Sequence, residues 1–137
     1  MSNLFAYGTL MHEDIMQEVA GCIPPHEPGT LKRYSRRCVK GENFPAIVPD
    51  QAGRVAGIVY KNVSDLSWER LDLFEGDFYA RRLVQVELND GTTFSADAYV
   101  VKTQFVDRLA PSEWDFENFL RNGKAIFQKH YRGYRAL

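Results

Sequence analysis

The chain carries little of what usually announces a function. Its only cysteines, Cys22 and Cys38, share no CxxC spacing, which argues against a zinc site or a redox pair and for two reduced, packed thiols. His12, His26 and His130 likewise lack a metal-ligand spacing, so neither a metal nor another cofactor is expected. Lys and Arg number 17 against 18 Asp and Glu, a formal net charge of -1, which gives no overall pull toward nucleic acid or an anionic membrane. No apolar run approaches the length that crosses a bilayer, and Met1-Ser2-Asn3 leads into a strand rather than a basic segment and signal core. A cytoplasmic protein without a membrane partner is the expectation. Equally absent are GxSxG, GxxxxGK[ST], HExxH and GxGxxG, so any chemistry must need few groups.

What is present suits one folded domain spanning residues 1–137, with 45% hydrophobic and 26% charged residues. Leu4 to Tyr7 is a short apolar run bounded by Gly8, a buried strand that ends in a bare loop. Met11, Ile15 and Val19 recur at helical spacing over residues 11–20, closed by Gly21. From Thr30 the segments "TLKRY", "RRCVK", "FPAIVP" and "GRVAGIVYKN" read as short strands of an antiparallel meander, with Pro45 and Pro49 marking an edge or irregular strand. "SDLSWERLDLFEG" reads as a helix capped by Ser64 or Asp65 and stopped by Gly76. Two β segments flank Asn89-Asp90-Gly91, whose turn chemistry predicts positive φ angles and a hairpin. A last helical region is expected from Pro111-Ser112, with Phe116, Phe119, Leu120, Ile126 and Phe127 as its apolar face.

One residue breaks the pattern. Trp68, Leu71 and Glu75 stand at i, i+3 and i+7, so Glu75 points with the apolar face, in the last helical turn where the dipole disfavours an anion. A carboxylate so placed should be desolvated and raised in pKa, the setting of a proton carrier. The pattern alone favours the plainer account, an ion pair with Arg81 or Arg82 or a turn outward to water. The basic run Lys32, Arg33, Arg36, Arg37 and Lys40 reads as a solvated strand face rather than a nucleic-acid patch, since no nucleic-acid motif accompanies it.

Taken together, "FAYGTL" and "LDLFEGDFYARR" resemble the signature blocks of the γ-glutamylcyclotransferase family in its AIG2-like branch. "FPAIVP" resembles the family's Pro-containing segment, and "SEWDFENFLRNGKAIFQKHY" the terminal helix of plant-type members. The resemblance implies an α+β fold, a small, mostly antiparallel β-barrel with flanking helices. It further implies a substrate loop formed by Tyr7, Gly8, Thr9, Leu10, Met11 and His12, with Glu75 as catalytic acid/base. Gly8 would let the backbone approach a ligand, the alternative being an ordinary tight turn. Tyr79 and Tyr99 would line the pocket or serve as core aromatics.

The implied reaction explains the sparse machinery. A γ-glutamyl amide carries its own nucleophile, the α-amino group, which closes a five-membered ring on the γ-carbonyl to give 5-oxoproline and a free amine. Well-oriented intramolecular reactions reach effective molarities of roughly 10⁵–10⁸ M. The partner would be a small γ-glutamyl compound; nothing in the sequence fixes the leaving amine or an oligomeric state. The competing readings are a non-catalytic module that senses a small anionic metabolite in the same pocket, and removal of γ-glutamyl groups from a larger acceptor.

Overall fold

The computed structural model describes residues 2–124. Strand β1 (Ser2–Ala6) is followed by a 3-10 turn (Thr9–Met11), helix α1 (Glu13–Ala20) and the long strands β2 (His26–Val39) and β3 (Pro45–Val63). Helix α2 (Asp65–Glu75), a second 3-10 turn (Gly76–Phe78) and the hairpin β4 (Tyr79–Leu88) and β5 (Thr93–Val101) come next. A 3-10 segment (Thr103–Arg108), strand β6 (Leu109–Glu113), a short α3 (Phe116–Asn118) and a π-helical turn (Phe119–Gly123) complete the described chain.

The strand order β3-β1-β5-β4-β2 closes on itself through β2–β3 pairing, and β6 adds to the free edge of β2. All pairings are antiparallel except β1 with β5, which meet in parallel at Leu4 and Asp97. The result is the mostly antiparallel barrel with flanking helices that the family resemblance implies. Alternation along the strands separates two cores. Phe5, Val59, Val86, Ala98 and Val100 pack together in the barrel interior. Leu4, Ala6, Tyr60 and Tyr99 face the other way, onto Ile15, Met16 and Val19 of α1 and Trp68 and Leu71 of α2. Each fully buried aliphatic side chain contributes about 1.5–3 kcal/mol of transfer free energy, so both helices are held by what they cover.

The meander is built from fewer, longer strands than the turn residues suggest. "TLKRY" and "RRCVK" belong to one strand, β2, with a bulge at Arg33 (φ 70°) instead of a break. "FPAIVP" and "GRVAGIVYKN" are both β3, because Gly53 marks a close backbone approach within the pair: a Cβ there would lie 2.2 Å from the Tyr34 carbonyl oxygen. Residues 45–49 pair with β2, whereas β1 takes β3 only from Ile58 onward, so both prolines stand on an edge as expected. In the β4–β5 hairpin only Gly91 takes a positive φ (87°), and Gly91 N–H donates to the Leu88 carbonyl (2.9 Å), a three-residue loop.

The largest departure lies at the expected last helix. Residues 109–113, Pro111-Ser112 included, form β6 along β2, and Asp115 is the actual N-cap, accepting the Glu117 amide at 3.0 Å. An edge-tolerant proline and the exposed neighbouring edge of β2 favour pairing over helix there. Phe119 is buried but Leu120 is exposed, and Ile126 and Phe127 lie outside the described residues, as does His130. Cys22 is exposed rather than packed, its sulfur 3.9 Å from the Ser67 hydroxyl; Cys38 is half-buried, and both thiols are free. The basic run is dispersed: Lys32 pairs with Glu87 at 3.0 Å, while Arg36 is mostly buried and donates to the Tyr7 carbonyl at 2.8 Å. Among the described residues no helix is long and apolar enough to cross a membrane.

Candidate active site

A cavity of about 300 Å³ opens beside the C-terminal end of β1. Tyr7, Gly8, Thr9 and Leu10 form one side, and Glu75 with Phe74 and Phe78 another. Tyr79 and Tyr99 also reach it. Thus seven of the residues singled out in the sequence, far apart along the chain, share one wall system. Met11 and His12 do not line it. Met11 packs against the outer core, and His12 is the N-cap of α1, its Nδ1 accepting the Asp14 amide at 3.3 Å.

The loop is shaped by its neighbours rather than by a special backbone angle. Gly8 has φ -130° and ψ -132°, outside the left-handed region. Its missing side chain is required by Pro45, whose ring carbons would lie 2.8 and 2.9 Å from an added Cβ. Pro45 is fixed in turn, its carbonyl accepting the Tyr79 hydroxyl at 2.8 Å. Tyr60, fully buried, donates to the Leu10 carbonyl at 2.7 Å. The first hydrogen bond of the 3-10 turn runs from Met11 N–H to the Gly8 carbonyl (3.0 Å), so the amides of Gly8, Thr9 and Leu10 precede it and are not used by that turn. Replacing Gly8 by alanine forces a stiff proline ring to move; we expect a cost of about 1–3 kcal/mol, read as a lowered Tm in thermal unfolding.

Glu75 ends α2, which starts at the Ser64 cap and stops at Gly76, whose φ of 71° a side chain would strain. Trp68 and Leu71 anchor the apolar face of this helix in the core and carry Glu75 to the cavity. The expected partner went elsewhere: Arg81 lies 3.7 Å from Asp72, one turn before Glu75, and over the Trp68 ring at 4.4 Å. Asp72 also accepts the Tyr99 hydroxyl at 2.7 Å. Neither Arg81 nor Arg82 forms an ion pair with Glu75 among the described residues. Burial, and secondarily the nearby Asp72 carboxylate, push the Glu75 carboxyl up to about 8. Burial also raises the Tyr7 and Tyr99 hydroxyls, with Glu75 adding to both, so all three groups favour their neutral forms. Tyr7 donates to the Tyr99 carbonyl at 2.5 Å. Both aromatic readings therefore hold at once for Tyr79 and Tyr99, which are buried with satisfied hydroxyls and still border the cavity.

This environment has a consequence for stability. A carboxyl raised from the ordinary 4.5 to about 8 costs nothing while protonated and destabilises the fold progressively as pH rises from about 4.5 to about 8. Glu75→Gln removes that cost. Its Tm should match the unmodified protein below pH 4.5 and exceed it by several degrees at pH 9, checked by thermal unfolding across that range.

Sequence reasoning missed Lys40, Phe44, Pro45 and Arg108, all of which border the cavity. They stand on the β2–β3 turn, at the first residue of β3 and on the segment before β6, whose approach to β1 is a tertiary fact with no local pattern. Among the described residues, no three His, Cys, Asp or Glu side chains stand together so as to hold a metal.

The comparisons agree with this architecture. A family model described as gamma-glutamyl cyclotransferase, AIG2-like, matches residues 4–116. AIG2-like protein C of Arabidopsis thaliana is 33% identical over 126 residues, covering 91% of this chain and 73% of its own length. The solution structure of another Arabidopsis thaliana protein superimposes with a TM-score of 0.73 at 28% identity, over 96% of this chain and 80% of that one. A structure described as a gamma-glutamyl cyclotransferase shares the fold, with a TM-score of 0.68 at 13% identity over 99% of this chain and 87% of its own. The family match over residues 4–116, together with a relative 33% identical over 91% of this chain, places the chain in the AIG2-like gamma-glutamyl cyclotransferase family.

Proposed function

We propose that the protein cyclises the γ-glutamyl group of a small γ-glutamyl amine or peptide to 5-oxoproline and releases the free amine. The observation that carries this reading is the Glu75 carboxyl, held at about 8 in a cavity bordered by the Tyr7–Leu10 loop. A cavity of about 300 Å³ lies at the small end of ligand pockets and suits a compact substrate.

In the proposed sequence the substrate enters as an ammonium, which is not nucleophilic. A cation beside Glu75 favours the carboxylate, which then accepts the ammonium proton. The freed amine forms a C–N bond to the γ-carbonyl carbon. As the tetrahedral intermediate collapses, the original amide C–N bond breaks and Glu75 returns the first proton to the departing nitrogen; the attacking nitrogen keeps one hydrogen in the lactam and gives up its other proton through the same carboxylate, so that the amine leaves as an ammonium. Amides at Gly8 to Leu10 would hold a substrate oxygen, either the carboxylate or the developing oxyanion. Tyr7 and Tyr99, neutral at working pH, add no further anion to the Asp72 carboxylate that already raises Glu75.

The test is incubation with a panel of γ-glutamyl compounds (dipeptides, glutathione, γ-glutamyl-ε-lysine and γ-glutamyl polyamines) and detection of 5-oxoproline by mass spectrometry. Release that vanishes in Glu75→Gln is the expected result; silence across the panel from a folded protein would replace catalysis by metabolite binding in the same cavity.

A further inference from the structure

The cavity is electrically two-sided, and only one side belongs to the chemistry above. Glu75, at the end of α2, and Asp77, in the next turn, border it on one side. Lys40, at the end of β2, and Arg108, just before β6, stand together on another border. These two are tied by the backbone: Val39 pairs with Leu109 across β2 and β6, and Lys40 N–H donates to the Arg108 carbonyl at 2.9 Å. Lys40 Nζ donates one hydrogen to the Asp107 carbonyl at 3.1 Å, which leaves two. The Arg108 guanidinium lies over the Phe105 ring at 4.9 Å, and Phe105 stacks on Phe78 at 5.3 Å, so the face of the cation is supported while its N–H edge is unused by an ion pair among the described residues. Both side chains are exposed, which places them at the mouth, whereas Glu75 is half-buried. Glu42, on the turn after Lys40, and Asp77 are the acids that border the same cavity.

Position decides what the two cations would meet. In a γ-glutamyl compound the α-carboxylate sits on the same carbon as the ammonium that Glu75 must reach, so it travels inward with it. The leaving amine points toward the mouth, through which it departs. We propose that Lys40 and Arg108 are specificity-determining residues that bind a carboxylate on the leaving amine, so that the substrate class is γ-glutamyl amino acids and peptides rather than γ-glutamyl polyamines. This inference rests on the proposed reaction for the orientation of the ligand.

Binding and turnover separate the two claims. Calorimetric titration of Glu75→Gln, which cannot turn the ligand over, with γ-glutamylalanine and with γ-glutamylalaninamide compares ligands that differ only in the distal carboxylate. The acid should bind about tenfold more tightly, as a charge-assisted contact at an exposed site would give. Adding Lys40→Met and Arg108→Met should bring the ratio close to one, and the charge-preserving pair Lys40→Arg and Arg108→Lys should restore most of it. Equal affinities in Glu75→Gln, or a preference that survives the neutral pair, would overturn the assignment. Failure of both ligands to bind would overturn it together with the γ-glutamyl reading. Binding with the expected preference, but no 5-oxoproline from the unmodified protein, would remove the cyclisation and leave the carboxylate subsite standing.

Discussion

Glu75→Gln should retain the fold and lose turnover by about 10²–10⁴-fold, the usual contribution of a positioned acid/base. Glutamine keeps the size of the side chain and removes only the transferable proton. The half-buried position at the end of α2 imposes no requirement for charge; burial there favours the neutral form. The loss should therefore fall on kcat, with ligand binding measured separately and preserved. The unmodified protein adds a pH signature. With the carboxyl held at about 8 in the free protein, kcat/KM should rise with pH and level off above about 8, since the ionised form must accept the first proton. A flat profile between pH 6 and 9, or Gln-variant turnover within a few-fold of the unmodified rate, would remove Glu75 from the mechanism.

How Glu75 came to be legible shows what a sequence can carry. Its helical phase with Trp68 and Leu71 is local, and the structure keeps it: the two apolar residues are buried and the carboxylate follows them to the cavity. The Gly76 stop and the Ser64 cap are local as well. What no local pattern contains is the identity of the neighbours. Arg81 stands close enough in sequence to serve Glu75, yet the β4–β5 pairing sets Arg81 opposite Tyr99, and both side chains reach Asp72 instead. That exchange leaves Glu75 without the cation that would have lowered its pKa. Likewise Pro111-Ser112 reads locally as a helix start, and only the waiting edge of β2 makes it a strand. Gly8 is legible by its position after the first strand, whereas the contact that excludes a side chain there comes from Pro45, a residue of another strand, and has no local pattern.

The barrel itself yields the second large effect, at Gly57. This residue lies in β3 where β1 crosses it, one position before the Ile58–Ala6 pair. A Cβ there would lie 2.4 Å from the Ala6 carbonyl oxygen and 2.7–2.8 Å from two ring carbons of Phe5. The Phe5 ring is 1% exposed in the barrel interior and has little room to withdraw, and the carbonyl belongs to the backbone that pairs β1 with β3. Alanine would relieve some unfolded-chain entropy, worth about 0.4–1 kcal/mol, against an overpacking cost of about 3 kcal/mol or more at a site where backbone must shift. Gly57→Ala should therefore lower the Tm by about 10 °C. It should also weaken activity at temperatures where the protein stays folded, because Ala6 is followed directly by Tyr7 and Gly8, and moving β1 moves the loop that faces Glu75. Thermal unfolding and turnover measured on the same preparation check both parts. A Tm within two degrees of the unmodified protein would mean that β1 can slide without loss, and the rigid delivery of the Tyr7–Leu10 loop would have to be abandoned with it.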